Sequence, residues 1–381
     1  MANFNSGLLL AGPRGRRLCL ELARILDDKV REASFYASYA LDPGAGTSVR
    51  FVEVEFDPDD PTHGTQRVIQ PREVPAPTPA EFAGILNQVQ WREPRETEIW
   101  QALDNTVANA RYWQPPDGGD NLAANPEVKQ ALRPIAAMIA ANPATKWWST
   151  PLDPNRQELV SRPQHGEIES PEYPPLPTQG ENALSSWREA AIAEENRMER
   201  DYPGMDISGT WWSTPPNWVI PKTTRNIPGF GPIGLSFQED SFGDTISISQ
   251  EIPIPLDARV FEITGPDNWV ELCRKYPLNV TASRNGDWRR TTGRAKGNWV
   301  QPDWSVVAKD YDGVHITMLG YLTAAGRSLP VKDDIATVIA GWDPDATYWL
   351  SGLSADQLDS TPQQWNLDPE TAQWHILSMG A

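Results

Sequence analysis

The chain has 381 residues, a formal charge of −18 and a pI near 4.7. That balance argues against general binding to a nucleic-acid backbone, which needs a basic face. It suits a cytoplasmic protein, or one that meets a basic partner protein. Hydrophobic residues make up 39%, enough for a core, and the length predicts two halves. The 36 prolines and 27 glycines predict many turns, and the 17 tryptophans predict a core rich in indole. Cys19 and Cys273 allow one disulfide at most, and Cys19 reads as a small buried residue. The run Leu8–Ala11 is far too short to span a membrane, and it precedes the Arg14–Arg17 cluster instead of following one, unlike a secretory signal.

In chain order, Gly7–Ala11 predicts a short strand and Gly12-Pro-Arg-Gly15 a turn. Leu18, Leu20, Leu22, Ile25 and Leu26 then recur at helical spacing. A glycine turn that opens a helix is able to hold an anion on free backbone N–H groups. The Gly-Lys-Ser/Thr of a phosphate loop is missing, so a structural turn is the expectation. Arg50–Phe56 alternates as a strand does. The acidic Asp57–Asp60 with His63 lacks the spacing of a calcium loop and predicts a solvated turn. Helices are predicted over Pro79–Val89, Glu96–Ala110 and Pro126–Ala141.

Seven prolines between Pro151 and Pro177 predict an extended connection, and Asn182–Arg200 a charged surface helix. The pentapeptide Trp-Trp-Ser-Thr-Pro occurs at 147–151 and again at 211–215. An internal duplication is one reading of it; a strand edge plugging a core is the other. Strands are predicted over Gly234–Phe237, Thr245–Ile252, Arg259–Ile263, Gly313–Met318 and Ile335–Ala340. Short helices are predicted over Asp267–Tyr276, with Asp267 as cap, and over Asp303–Asp310. Gly341–Leu350 closes this region, and the polar tail 351–381 is expected to pack on the body.

Few residues invite chemistry. His63, His165 and His375 have no metal-ligand spacing, and no nucleophile elbow or zinc motif is present, so no metal is expected. His315 stands mid-strand, a position that suits either a satisfied core residue or a functional one. The segment Arg284–Trp299 contrasts with its acidic background: Arg284, Arg289, Arg290, Arg294 and Lys296 face one acid, Asp287, with Trp288 and Trp299 interleaved. Guanidinium groups grip phosphates and indoles stack on nucleotide rings, so this segment is the leading ligand candidate. The opposing reading is that its arginines pair with the protein's own carboxylates. Glu239, Asp240, Glu262, Asp343 and Asp345 supply acids in the same half, and spacing alone does not choose among them.

Gly12–Ala23 and Ala340–Leu350 resemble segments of uncharacterised proteins from high-GC actinobacteria. Residues 207–350, with the aromatic-Ser-Thr element Trp212-Ser213-Thr214, resemble the small β-rich domains of NAD-dependent ADP-ribosyltransferases. That resemblance implies Arg225 or His315 as the basic residue and Glu239 as the acid. This region departs from it in three ways: Pro215 follows Thr214, Arg225 comes after the Ser-Thr element, and no Glu-x-Glu or Gln-x-Glu loop is evident within 207–350.

The expected fold class is therefore α+β, a mixed N-terminal half before a β-rich C-terminal half. Its expected divisions are 1–150, a 151–205 connection with a surface helix, a ligand-binding 206–350, and the tail 351–381. The expected function is a nucleotide-utilising transferase resembling ADP-ribosyltransferases, with NAD as cofactor. Glu239 and His315 are its expected catalytic residues. Trp212, Ser213, Thr214, Arg225, Arg284, Trp288, Arg289, Arg290 and Arg294 are expected to hold the nucleotide. The rival expectation is a non-catalytic acidic protein that inhibits a basic partner or assembles with it.

Overall fold

The computed structural model describes residues 4–44, the backbone of 52–57 and 60–68, and residues 76–162, 182–216, 220–241, 243–353, 360–369 and 371–377. A 3-10 turn over Ser6–Ala11 leads into α1 (Pro13–Leu26) and α2 (Asp28–Leu41). The hairpin of β1 (Val52–Asp57) and β2 (Asp60–Val68) follows. Next come α3 (Pro79–Gln88), α4 (Glu96–Ala108), α5 (Gly118–Ala124), α6 (Pro126–Ala131) and α7 (Arg133–Ala141), then a second 3-10 segment, Pro143–Ser149. The chain continues through β3 (Gln157–Ser161), α8 (Ala183–Asp201), β4 (Lys222–Ile227), β5 (Gly231–Pro232), α9 (Ile233–Ser236), β6 (Ile246–Glu251) and β7 (Val260–Ile263). After these come α10 (Pro266–Lys275), β8 (Pro277–Asn279), α11 (Thr281–Thr292), β9 (Asn298–Pro302), α12 (Trp304–Val307), β10 (Gly313–Ile316) and α13 (Met318–Ala324). The last elements are β11 (Leu329–Lys332), β12 (Ile335–Thr337), β13 (Ala346–Trp349), β14 (Gln363–Asp368) and β15 (Gln373–Ile376).

The protein is α+β, with helices gathered in the N-terminal half and a large mixed sheet in the C-terminal half. That sheet runs β15-β14-β6-β3-β4-β13-β10-β7, with β5 on β4, and only its β10–β7 pair is parallel. A smaller sheet runs β11-β12-β9-β8. One hydrophobic core extends from Leu9 through Trp148 to Leu350, so the helical half and the sheet bury their apolar faces against each other. Trp269, Trp304 and Trp342 meet edge-on or tilted with centroids 5.8–6.2 Å apart, and Tyr348 completes the cluster. Cys19 and Cys273 are both free and buried, so no disulfide joins them.

Several expectations change. Gly7–Ala11 is a 3-10 turn, not a strand; Asn5 accepts from the Gly7 N–H, which starts the turn, and Leu9 and Leu10 are buried. Gly234–Phe237 is mostly helical, as α9, and not a strand. The helix over Pro126–Ala141 breaks at Leu132, because Pro134 has no N–H to continue the ladder. Gly265, not Asp267, caps α10, and Asp267 sits inside its first turn. β3 lies within the proline-rich connection, yet it pairs on both edges inside the large sheet. The Trp-Trp-Ser-Thr-Pro pentapeptide is not a structural repeat. Its first copy runs through the 3-10 segment with Ser149 exposed, whereas the second is irregular with Ser213 fully buried. His165 and Pro163–Pro177 lie outside the described residues, as does the side chain of His63.

The glycine turn before α1 exists for packing. A Cβ on Gly12 would meet the Leu322 carbonyl at 2.7 Å, and one on Gly15 the Leu9 carbonyl at 2.1 Å. These approaches dock α1 onto α13 and onto the first 3-10 turn. Gly84, inside α3, has no atom within 4 Å of such a Cβ. Gly15→Ala is therefore expected to lower stability in urea melts by about 1–3 kcal/mol through overpacking. Gly84→Ala is expected to raise it by about 0.5–1 kcal/mol, since a helix gains when glycine leaves its interior.

Candidate functional site

The basic-aromatic segment forms α11 and the approach to β9, and it is part of the body rather than a pocket wall. Trp288 and Trp299 are fully buried and meet edge-on at 5.5 Å. Trp288 donates through Nε1 to the Trp211 carbonyl at 2.7 Å. Arg284 is buried and donates to Glu194 at 3.3 Å; burial nonetheless holds its guanidinium below the ordinary value. Arg290 bridges Asp206 and Asp287 at 2.9 and 2.6 Å. Arg294 lies over the Trp299 ring and donates to the Asp334 carbonyl. Arg289 is half-buried and has no acid beside it among the described residues. Helix α8 explains why the segment folds this way. Its Glu195 accepts from the Ala282 and Ser283 N–H groups at 2.6 and 2.8 Å, and so satisfies the first turn of α11.

Ser213 and Thr214 are likewise closed. Ser213 accepts from the Ala340 N–H at 3.0 Å, its own N–H donates to the Ala340 carbonyl at 2.9 Å, and Thr214 is buried beside Tyr348. Trp212 packs edge-on against Trp211. Arg225, buried on β4, uses its whole guanidinium: Nε on Asp345 at 2.9 Å, the remaining nitrogens on Thr150, Pro151 and Asp345 again. All three nitrogens are thus engaged within the fold, although one Nη1 hydrogen has no partner among the described residues. The structure does join Arg225 to His315, through Asp345. His315 on β10 is fully buried, with Nδ1 2.6 Å from Glu262 on β7 and Nε2 3.5 Å from Asp345, an ion-pair contact beyond good hydrogen-bond length. Burial lowers the pKa of this imidazole, but the two carboxylates outweigh it and raise the value to about 9.

Glu239 occupies a different, equally buried place. Tyr112 donates to its Oε1 at 2.8 Å, and its N–H donates to Asp343 at 2.9 Å. The Tyr321 hydroxyl faces the carboxyl but lies outside hydrogen-bond geometry, and Oε2 has no hydrogen-bond partner. Desolvation, reinforced by Asp343, pushes the Glu239 carboxyl up to about 8, so it carries a proton at neutral pH.

The cavity beside this group is the site that the sequence did not single out. It measures about 360 Å³ and opens at the start of α1. Arg14 and Arg16 come from α1, Arg111 and Tyr112 from the turn after α4, Arg327 and Ser328 from the turn after α13. Four guanidiniums face one carboxylate, Asp120, in a protein of charge −18. Asp120 is already held by Arg14 and Arg17. Burial opposes the charge of Arg14, yet the neighbouring Asp120 more than offsets it and the pKa rises. Arg16, Arg111 and Arg327 have no acid within ion-pair distance among the described residues. Arg16 donates to the Ala11 carbonyl at 3.1 Å and Arg327 to that of Thr323 at 2.8 Å. Burial lowers the pKa of both; at Arg16 the pull of Asp120 is opposed by repulsion from Arg14 and Arg327. Gly326, at φ +73°, is required at the wall, since a Cβ there would lie 2.7 Å from the Tyr112 ring.

The Arg14–Arg17 cluster was visible in the sequence, but Arg111 and Arg327 are brought to it from distant turns. Glu239 does not line the cavity; the Tyr112 side chain stands between them. Among the described residues no group of three or more His, Cys, Asp or Glu is arranged to hold a metal ion. No helix among them is long and apolar enough to cross a membrane. No family model, curated protein or solved structure matches this chain.

The geometry at His315 yields a pH test. Its folded pKa of about 9 lies above the ordinary 6.5. The charged imidazole therefore adds stability in full below pH 6.5, and that contribution is lost as pH rises through 9. The unfolding free energy from urea melts is expected to fall across this window by on the order of 3 kcal/mol. His315→Gln, which lacks this titration, is expected to show a flatter profile, while the buried Glu239 titrates alike in both chains; equal slopes for the two chains would mean that His315 is not charged.

Proposed function

We propose that the protein binds a phosphate-bearing, nucleotide-like small molecule in the arginine-lined cavity at the start of α1. One observation carries this reading: Arg16, Arg111 and Arg327 converge on the cavity without a carboxylate of their own. An acidic chain has ample means of neutralising a structural arginine, as it does at Arg284 and Arg290. Asp120 attracts Arg16, Asp267 attracts Arg327 and the exposed Arg111 acts on Asp240, but none of the three is in ion-pair contact, which maintains a positive potential at the void that a di- or polyanion relieves. The volume of about 360 Å³ is of the size small-molecule sites have.

NAD-dependent ADP-ribosyl transfer is the catalytic form of this proposal, and it rests on the resemblance of 207–350. In that form Glu239 is the acid, and Tyr112 must swing aside for it to reach the ligand. The positions Trp212, Ser213, Thr214 and Arg225 would serve as scaffold rather than as cofactor contacts, because their polar groups are taken. A non-catalytic role toward a basic protein is supported by a separate observation: 51 acids stand against 33 basic residues, an excess that the internal pairs of α11, one acid to one base, leave in place.

Calorimetry with ADP-ribose, NAD, ATP and inorganic phosphate at low salt tests the binding proposal. At least one nucleotide is expected to bind, more weakly as salt is raised. Joint Arg16→Ala and Arg327→Ala substitution removes two charge-assisted contacts, each worth about 1.5–3 kcal/mol, so affinity is expected to fall by more than about tenfold. Arg289→Ala and Arg294→Ala are expected to leave it unchanged. Absence of binding by all four ligands at millimolar concentration, or equal loss from the α11 variants, would overturn the assignment. The transfer form is read separately, as release of nicotinamide from NAD by the intact protein and its loss in Glu239→Gln.

A further inference from the structure

A second cavity, about 420 Å³, lies between α4, the turn at Gly229–Phe230 and the C-terminal hairpin. Its character is opposite to that of the first. Trp100 on α4 stacks on Phe230 with centroids 4.2 Å apart and planes 17° from parallel, and it also touches Phe237 at 4.5 Å. Trp374 of β15 adds a second indole to the lining. One helical turn beyond Trp100, on the same face of α4, stands Asp104.

Asp104 is half-buried in this lining and makes no hydrogen bond or ion pair among the described residues. Desolvation alone pushes its carboxyl up to about 6. Of the basic side chains in the lining, Arg95 is bound to Glu98 at 2.7 Å and His375 is exposed. A desolvated carboxylate without a counter-charge costs stability, and nothing in the packing of α4 calls for it. The core face of that helix is made by Ile99, Leu103 and Val107.

We propose that this cavity binds an aromatic amine, whose ring lies against the Trp100–Phe230 wall and whose ammonium group meets Asp104. Aromatic walls favour both the planar ring and an adjacent cation, and the unpaired carboxylate supplies the orientation. This site is independent of the arginine-lined cavity, which selects the opposite charge.

Tryptamine, its neutral analogue tryptophol and the anionic indole-3-acetate are the probes, titrated by calorimetry against the full chain. Tryptamine is expected to bind at least about tenfold tighter than tryptophol, as a charge-assisted bond implies, with indole-3-acetate weakest. Asp104→Asn is expected to abolish the preference for tryptamine while leaving tryptophol affinity within about twofold. The same substitution is expected to leave the melting temperature equal or higher, because it removes an unpaired charge; this separates loss of the site from loss of the fold. Joint Arg16→Ala and Arg327→Ala substitution is expected to leave tryptamine binding intact. Equal affinity of the unsubstituted protein for tryptamine and tryptophol, or a tryptamine preference that survives Asp104→Asn, would overturn the proposal.

Discussion

Asp345 carries the charge balance at the middle of the large sheet. It precedes β13, at φ +53°, and is fully buried. β13 lies between β4 and β10, and each neighbour brings a buried cation: Arg225 from β4 and His315 from β10. One carboxylate therefore answers two charges that water cannot reach. Removing it would leave Arg225 without a counter-charge and His315 with Glu262 alone; stranding a buried charge in this way costs about 3–5 kcal/mol. Glu262 extends the line, joining His315 to the Leu152 N–H at 2.9 Å, so the chain that leads into β3 is tied to the same network.

The same constraint sorts the arginines of the molecule. An acidic chain with 33 basic residues and 51 acids has a carboxylate to spare for nearly every buried cation. Arg14, Arg17, Arg225, Arg284 and Arg290 each take at least one. Such pairs specify which surfaces meet, more than they add net stability, because desolvation offsets much of the attraction. Against that background a guanidinium without an ion-pair contact among the described residues, such as Arg16 or Arg327, and a carboxylate without one, such as Asp104, become informative. Each lies beside a void, and the two voids have opposite sign.

Tryptophan supplies the rest of the framework. Among the described residues seven indoles are essentially inaccessible, including Trp288 and Trp299 of the basic segment. Their placement explains why arginines cluster there. Arg294 lies over the Trp299 ring, while Arg284 reaches Glu194 on α8 and Arg290 reaches Asp206. A run that reads as a nucleotide grip is thereby the seam between α11, α8 and the second Trp-Trp-Ser-Thr-Pro copy.

Local signals were legible where a short segment decides its own structure. The α+β class, α3 with Thr78 and Glu81 capping each other, α4, α8 and the strand of His315 follow from periodicity and end signals. β4 was not legible, because Lys-Thr-Thr-Arg-Asn-Ile is polar; it is buried because Thr223 bonds Gln157 and Trp349 while Arg225 meets Asp345. The acid and basic residues of interest were named from the sequence, but their pairing was not. By itself the sequence determined the charge excess, the indole-rich core and the helices that cap themselves. Only the tertiary structure decided which cations are neutralised, because a carboxylate far along the chain neutralises a guanidinium only when folding brings them within a few ångströms.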